Sequence, residues 1–566
     1  MAWEIRKLHD AVLSREVGAT RKDRGGRLRV ALVYPNRYAA GMSNLGFLSI
    51  HARINERPDA LCERAFLPSA AEERILARRS VPLSTLESGS ALKDFDVVAF
   101  SLSYENDLLN VPPILSAGGV QPFRSDREEA GGHRPLVLAG GFAASLNPEP
   151  AGSLADAVVV GDGERAAGAV LDLGGPRPAD KGYLKTLAAV PGVYVPAGYL
   201  PEYGEPARGA PGEERRLRAL NNLPGFPGHV RRETVCLTDY PPLPNILAED
   251  AELGRMALVE TSRGCPKMCG FCAAAHACPE FREMPLPFVR AAVDAAWPHR
   301  RKIGLIGAAV LDWSPFREFS KEVLARGGTV SPASVRADLV DEEIADILKR
   351  SGHRTVALAP ECGRERLRAR IGKRVPDRVF FSAGKTMARS GIVSFKLYFL
   401  AGVPGAERDE EIEGTVGFLR EFREAVLEES KAVGRMGTVT VVLSPFVPKP
   451  FTPLQWAPMA TEGELKLRQE KIAASVRSIP NVRIDPDAPQ TAIVQGFLGL
   501  SDRRVEHALR RASKGRLKLS PGNLAAPLSE IVHREKSAEE YFPWDVIEGG
   551  LPKKVLRARY EAILRG

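Results

Sequence analysis

The chain has 566 residues, 44% of them hydrophobic and 26% charged, and a net charge of +9 from 79 basic against 70 acidic side chains. This is ordinary globular usage, which excludes a collagen-like, low-complexity or wholly disordered chain, and the length excludes a small scaffold that depends on disulfides. No run of ~18 apolar residues occurs, and the charged start MAWEIRKLHDAVLSREV lacks the apolar stretch and cleavage site of a signal peptide, so a soluble, cytoplasmic protein without membrane association is expected.

Residues 1–27 include RKDRGGR and predict a helical lead-in followed by a flexible join. RVALVYP (29–35), DVVAFSLS (96–103), PLVLAGG (135–141) and DAVVVGDGE (156–164) follow, separated by helix-length segments. Each run is short, Val-rich and bounded by turn residues, which predicts parallel strands covered on both faces. A doubly wound, Rossmann-like α/β domain is therefore expected over 28–180. Residues 181–245 carry PEYGEPARGAPGEERR, LPGFPGH and DYPPLPN, whose Pro, Gly and charge content predicts a linker or extended wrap.

A second βα series occupies 246–459. Its strand candidates are RMALVETS (255–262), KIGLIGAA (302–309), TVSPASVR (329–336), TVALAPE (355–361), VSFKLYFLAGVPG (393–405) and TVTVVLSPF (438–446). DEEIADILKRSG between them has acidic residues at its start, favourable against the helix dipole, and a Gly stop signal. Six such units predict a partial (β/α)6 barrel of the TIM type, whose sites gather at strand C-terminal ends. Residues 460–566 read as a mostly helical extension, opened by a capping box in TEGELKLRQEKIAASVRSI.

Four of the seven cysteines fall within fourteen residues, and Cys265, Cys269 and Cys272 stand in C-x3-C-x2-C spacing in ETSRGCPKMCGFC, after a predicted strand and before a helix. Three thiolates on one tight loop can hold three irons of a [4Fe–4S] cluster and leave the fourth open to a small molecule. A structural zinc site would instead need a fourth ligand, Cys278 or His276, in a compact ribbon, which the strand–loop–helix setting does not suit.

This spacing, with Phe271 just before the last cysteine, resembles the signature of the radical SAM enzymes. The resemblance implies that the open iron chelates S-adenosylmethionine, that an electron from a reductant such as flavodoxin or ferredoxin cleaves it, and that a 5′-deoxyadenosyl radical takes hydrogen from substrate. It also implies cofactor contacts at Gly307 in KIGLIGAAVLDW, Arg336 in SVRADL, Glu361 and Arg368 in APECGRERLRARIGK, and Gly402 and Gly405 in LYFLAGVPGAERDE. The chain departs from that pattern at Gly307-Ala308-Ala309, which lacks the acidic residue of a GGE-like run, and at Ala406, which separates Gly405 from Glu407.

The front domain resembles the cobalamin-binding domain that precedes many radical SAM cores, through SLSYE, LAGGFAASLNPEP and VVVGDGE. Ser101, Ser103, Gly140, Gly141, Gly161 and Gly163 are the matching positions, with the glycines expected to allow close backbone approach to a cobalamin. None of the nine histidines lies in a D-x-H-x-x-G motif, so there is no evident lower axial ligand, and YPNRYAAGMSNLGFLSI occupies that place, either covering the lower face or filling the crevice. With cobalamin, the expected outcome is methyl transfer to an unactivated carbon, and without it a rearrangement, oxidation or sulfur insertion.

Two alternatives accompany this reading. A methylthiotransferase-like RNA modification is suggested by FVPKPFTPLQW (446–456), which either lines the open side of the barrel or straps it shut, and by a basic run from Arg503 to Lys518 that could meet RNA phosphates. Against it, only Cys62 is available in the front domain for a second cluster. The other alternative is a non-catalytic sensor that binds cobalamin or the cluster. The substrate, a small molecule or RNA, is not identified by the sequence.

Overall fold

Short Val- and Ala-rich runs become strands wherever neighbouring helices cover both of their faces. The computed structural model describes residues 3–20, 22–131, 134–204, 216–241, 246–278, 280–513, 515–524 and 527–565. It divides into a front unit (Met1–Arg255, Phe497–Ile531, Glu539–Gly549) and a second unit (Met256–Gly496, Val532–Ala538, Gly550–Gly566).

The front unit is built on a six-stranded sheet of β1 (Leu28–Tyr34), β2 (Ala60–Phe66), β3 (Val97–Ser101), β4 (Leu136–Gly140), β5 (Ala157–Val159) and β6 (Val193–Tyr194), in the order β2-β1-β3-β4-β5-β6. The first five are parallel, in register Val30↔Cys62, Val30↔Val97, Val97↔Leu136 and Leu138↔Ala157, and β6 closes the edge antiparallel. Phe47, Leu48 and Ile54 of the helix Leu45–Glu56 and Ala166 and Val170 of the helix Gly163–Asp172 share one core with Val30, Leu32 and Cys62. The sheet is the doubly wound one expected, with two differences.

Strand β2 was not among the predicted strands, because LCERAF places charges where a buried strand should be apolar. The structure neutralises them inside. Arg64 donates to both carboxylate oxygens of Glu16 (2.8 and 2.7 Å) and to Glu87 (2.6 Å), and Glu63 accepts from the Thr85 hydroxyl (2.5 Å). Strand β6 lies beyond residue 180, so the sheet outruns the expected boundary.

The expected linker also differs. Tyr199–Tyr203 and Leu217–Asn222 form an antiparallel pair, and Val230–Arg231 pairs in parallel with Ile547–Glu548. Residues 205–215 and 242–245 of that stretch lie outside the described residues.

The second unit has seven parallel strands rather than six, in two ladders. One contains β7 (Ala257–Glu260), β8 (Lys302–Ile306) and β9 (Thr329–Pro332). The other contains β10 (Thr355–Glu361), β11 (Ser394–Ala401), β12 (Val439–Pro445) and β13 (Val482–Pro486). Strand β13 is a correction to the mostly helical extension. RIDP reads as polar because β13 is an edge strand and its side chains are partly exposed. The helices Glu462–Val476, Pro489–Leu500 and Lys553–Arg565 are the longest in residues 460–566.

Strands β10 and β11 alternate between buried and half-buried residues. One face packs on the helix Arg408–Ala432, where Phe395 meets Phe422 and Phe399 meets Phe418 edge-on. The other face carries Ala357, Ala359, Lys396 and Tyr398. The helix Glu342–Arg350 starts as expected, with Asp341 accepting from the Ile344 amide. No helix among the described residues is long and apolar enough to cross a membrane.

Candidate iron–sulfur and cofactor site

The cysteine loop hangs from the end of β7. Ser262–Arg263 pairs antiparallel with Arg282–Glu283, so residues 264–281 form one excursion closed at its neck. Gly264 has a positive φ, and a Cβ there would lie 2.3 Å from the Glu280 carbonyl and 2.8 Å from that of Cys278, so only glycine fits the neck.

Two further backbone bonds clamp the loop from outside. The Gly270 amide donates to the Ile371 carbonyl (2.7 Å), and the Gly270 carbonyl accepts from the Leu454 amide (3.3 Å). Leu454 belongs to FVPKPFTPLQW, whose residues 450–456 are all buried and whose Trp456 ring lies 6.0 Å from that of Tyr560. The segment is therefore a strap on the cysteine loop rather than an open lining. Its Phe451 has φ +60, rare for a bulky residue, and donates its amide to Gln455 Oε1 (3.0 Å).

Cys265, Cys269 and Cys272 are half-buried thiols. Burial pushes the Cys269 thiol up to about 11 and raises that of Cys272 as well. Iron binding must therefore displace protons, which makes loading pH-dependent. Among the described residues, no three His, Cys, Asp or Glu groups converge on a single metal ion. A [4Fe–4S] cluster asks for something different, one thiolate on each of three irons, and three thiols on one clamped loop match that demand. His276, weighed as a zinc ligand, is buried with Nδ1 turned 2.9 Å from the Cys272 carbonyl.

Charged pairs ring the adjoining strand ends. Glu260 at the end of β7 pairs with Arg263 (2.8 Å), and Asp312 after β8 pairs with Arg336 after β9, which also meets Asp338. Glu361 ends β10 and pairs with Lys373 (2.9 Å). Glu361 has φ +66 at the point where the β10–β11 register shifts, and such a bulge re-aims the side chain it carries. Holding a non-glycine residue there costs ~1–3 kcal/mol, a kind of strain that concentrates at functional sites. Gly307 stands where an added Cβ would lie 2.8 Å from Ser262 Oγ, and that buried hydroxyl has no partner among the described residues. Alternating charges with an unsatisfied hydroxyl suit a zwitterion such as the methionine part of S-adenosylmethionine, so the residues present fit both groups.

Arg336, Glu361 and Gly307 thus lie at strand ends as expected, and Phe271 sits half-buried in the loop. Arg368 does not join them. It is fully buried and donates to the carbonyls of Val375 (2.9 Å) and Cys362 (2.5 Å) and to Asp377, a structural anchor rather than a cofactor contact. Gly402 and Gly405 shape their turn through positive φ angles, with the amides of Gly402 and Val403 donating to buried Glu411 and the Gly405 carbonyl accepting from Arg370 (2.6 Å). Asp312 and Lys373 were missed. The Gly-Lys pair after Ile371 was the available signal for Lys373. Asp312 lies five residues past Gly307, outside the position the resemblance assigns to an acid.

In the front unit, the order β2-β1-β3-β4-β5 reverses between β1 and β3, and ligands of such folds bind at that switch, outside the carboxyl ends. Here the crevice is filled by the unit's own side chains. Asn36 donates to Asp107 (3.0 Å), Asn44 donates to Ser103 (3.1 Å), and Asn110 donates to the Pro35 carbonyl (2.9 Å). Of the glycines expected beside a cobalamin, Gly141 and Gly161 are closed by protein backbone. A Cβ on Gly141 would lie 2.6 Å from the Leu102 carbonyl, on Gly161 2.1 Å from the Glu233 carbonyl, and on Gly163 3.2 Å from Ile50. Gly140 faces Val159, and Ser101 is half-buried at the end of β3. Close backbone approach at Gly141 and Gly161 is therefore used for chain packing.

Burial and the neighbouring Glu105 carboxylate raise Asp107 to about 6. A carboxyl raised in the folded state binds protons the unfolded chain has already lost. Its cost is absent below about pH 4, grows between pH 4 and 6, and is complete above that. Asp107→Asn keeps an acceptor for Asn36, so it is expected to stabilise the front unit by about 1 kcal/mol at pH 7.5 and to flatten the pH dependence between 4 and 6. Hydrogen exchange of the β1 and β3 amides would measure both, and unchanged protection at pH 7.5 would contradict the assignment.

Three residues of the basic run from Arg503 to Lys518 are paired inside the same unit. Arg503 pairs with buried Glu149 (2.7 Å), Arg504 with Asp502 (2.7 Å), and Arg510 with Asp126 and Glu506 (2.6 and 2.7 Å). Lys514 lies outside the described residues. These pairs clamp the first part of the run into the unit.

Comparison with known proteins agrees with this organisation. A model described as radical SAM proteins, N-terminal, matches residues 46–196, and one described as the radical SAM superfamily matches residues 259–419. An uncharacterized protein of Methanocaldococcus jannaschii is 25% identical over 482 residues, 85% of this chain and 90% of that protein. Among solved structures, the radical S-adenosylmethionine methyltransferase TsrM from Kitasatospora setae, with cobalamin and a [4Fe–4S] cluster bound, is 15% identical with a TM-score of 0.49, covering 77% of this chain and 80% of that one. The cobalamin-dependent S-adenosylmethionine radical enzyme OxsB is 16% identical with a TM-score of 0.46, covering 70% of this chain, which spans only 52% of OxsB. With the superfamily match running from β7 through the cysteine loop and past β11, and the N-terminal match lying over the front sheet, the chain belongs to the radical SAM superfamily.

Proposed function

We propose that this enzyme cleaves S-adenosylmethionine reductively and takes hydrogen from an unactivated carbon of its substrate, with the front unit serving as a scaffold. The observation that carries the reading is the clamped loop, which presents three thiols beside the charged strand ends of one unit. When bound, the cluster and S-adenosylmethionine supply the electron and the 5′-deoxyadenosyl radical. The chain's own part is to hold three irons through Cys265, Cys269 and Cys272, and to orient the ammonium and carboxylate of the cofactor among Asp312, Arg336, Glu361 and Lys373. The buried strap over the loop keeps bulk water from its outer side.

Cobalamin-dependent methyl transfer is the second reading. What favours it is an open hollow at the carboxyl ends of β3 and β4, lined by residues that include Leu102, Tyr104, Asn147 and Leu498, with Tyr104 and Phe142 exposed. The filled switch crevice weighs against it. The two readings separate on the holoenzyme purified from cobalamin-supplemented cells. Under reductant and S-adenosylmethionine, 5′-deoxyadenosine without bound cobalt is expected. About one cobalt per chain together with S-adenosylhomocysteine would favour methyl transfer. A cluster-loaded protein that forms neither product would point to a sensor.

A further inference from the structure

We infer that Lys373 is a positioning residue that sets the reduction potential of the cluster, with Glu361 as its counterweight. The inference rests on the cluster being held by Cys265, Cys269 and Cys272.

The turn Ile371–Gly372–Lys373 is docked directly on the back of the cysteine loop. The Ile371 carbonyl accepts from Gly270, and a Cβ on Gly372, at φ +79, would lie 3.0 Å from the Met268 carbonyl, 3.3 Å from the Gly270 nitrogen and 3.6 Å from Cys269 Cα. Glycine is required there because the two backbones touch. The next residue is Lys373.

The turn is also stiff. The Lys373 amide donates to the Arg368 carbonyl (2.9 Å), while the buried Arg368 guanidinium ties the Val375 and Cys362 carbonyls and Asp377 together around it. This gives Arg368 a purpose within the site although it meets no cofactor. Lys373 Nζ lies 2.9 Å from Glu361 Oε1, with both side chains less than a fifth exposed. Solvent screening of the pair is therefore weak. The pair stands on the turn that touches the Met268–Gly270 backbone, so both charges are carried by segments packed on the loop that holds Cys269.

Reduction adds one electron to a cluster already made anionic by three thiolates, and local charge and solvent exposure set the potential of such clusters. A half-buried ammonium on a turn packed against the ligand loop stabilises the reduced form. The Glu361 carboxylate offsets part of that effect.

The test is a redox titration of the reconstituted full chain, followed by electron paramagnetic resonance of the reduced cluster, without S-adenosylmethionine and with iron and sulfide counted in each sample. Lys373→Met is expected to lower the midpoint potential by roughly a tenfold change in the reduction equilibrium, ~59 mV for one electron. Lys373→Arg should restore it, and Glu361→Gln should raise it. An unchanged potential in a fully loaded Lys373→Met protein would overturn the inference while leaving the cluster intact. A wild-type chain that takes up no cluster would overturn the cluster reading beneath it. If Lys373→Met does not load, Glu361→Gln decides, and an unchanged or lowered potential there rejects the inference.

Discussion

Changing Cys265, Cys269 or Cys272 to alanine, singly, is expected to reduce iron from about four per chain to substoichiometric levels and to lower 5′-deoxyadenosine formation by at least ~10³-fold. Each thiol would hold a different iron, so none can substitute for another. Cys278 and Cys362 are the internal controls. Cys362 is buried at the end of β10, and its carbonyl is held by Arg368. Cys278 provides a backbone carbonyl at the loop neck. Cys278→Ser should retain its iron. Parallel iron and sulfide analysis with a 5′-deoxyadenosine assay checks all four proteins. A Cys269→Ala variant that kept its cluster and its turnover would remove the basis of the functional assignment.

Arg64→Met in β2 is expected to destabilise the front unit by ~3–5 kcal/mol, because it strands Glu16 and Glu87 without their cation in a dry interior. Arg64 and Glu16 are both fully buried and joined by two bonds, and Glu16 also accepts from the Tyr38 hydroxyl (2.6 Å). Glu16 sits in the short strand Glu16–Val17 that pairs with Leu247–Ala248, so the same change should release the N-terminal segment. Urea unfolding followed through front-unit amides, with limited proteolysis after residue 17, measures both effects. The double change Glu16→Gln with Arg64→Met should cost less than Arg64→Met alone, since one stranded charge is removed with its partner. Equal costs would mean that the pair does not act as a unit.

The difference between these two sites shows what could be read without a structure. The cysteine loop was legible because its chemistry is local. Three thiols within eight residues, a strand before and a helix after, are all properties of neighbouring positions in the chain. The parallel strands of both units were legible for the same reason, through runs of Val and Ala between turn residues. Strand β2 was not, because its charges are acceptable only when Glu16 and Glu87, brought from elsewhere in the chain, neutralise them. Strand β13 was hidden by an edge position that leaves its side chains partly exposed.

The cofactor residues divide along the same line. Gly307, Arg336 and Glu361 could be placed because strand ends are local features. Arg368 and Lys373 could not be placed, because the direction in which a side chain leaves a turn depends on the partners it finds in the fold: Asp377 and the Cys362 carbonyl draw Arg368 inward, and Glu361 pairs with Lys373. The front glycines show the limit most clearly. The sequence by itself determined that Gly141 and Gly161 allow close approach, since only glycine adopts their positive φ without strain. Only the tertiary structure decided what approaches, and it is the Leu102 and Glu233 backbones, because packing density inside a folded unit is satisfied by the nearest chain.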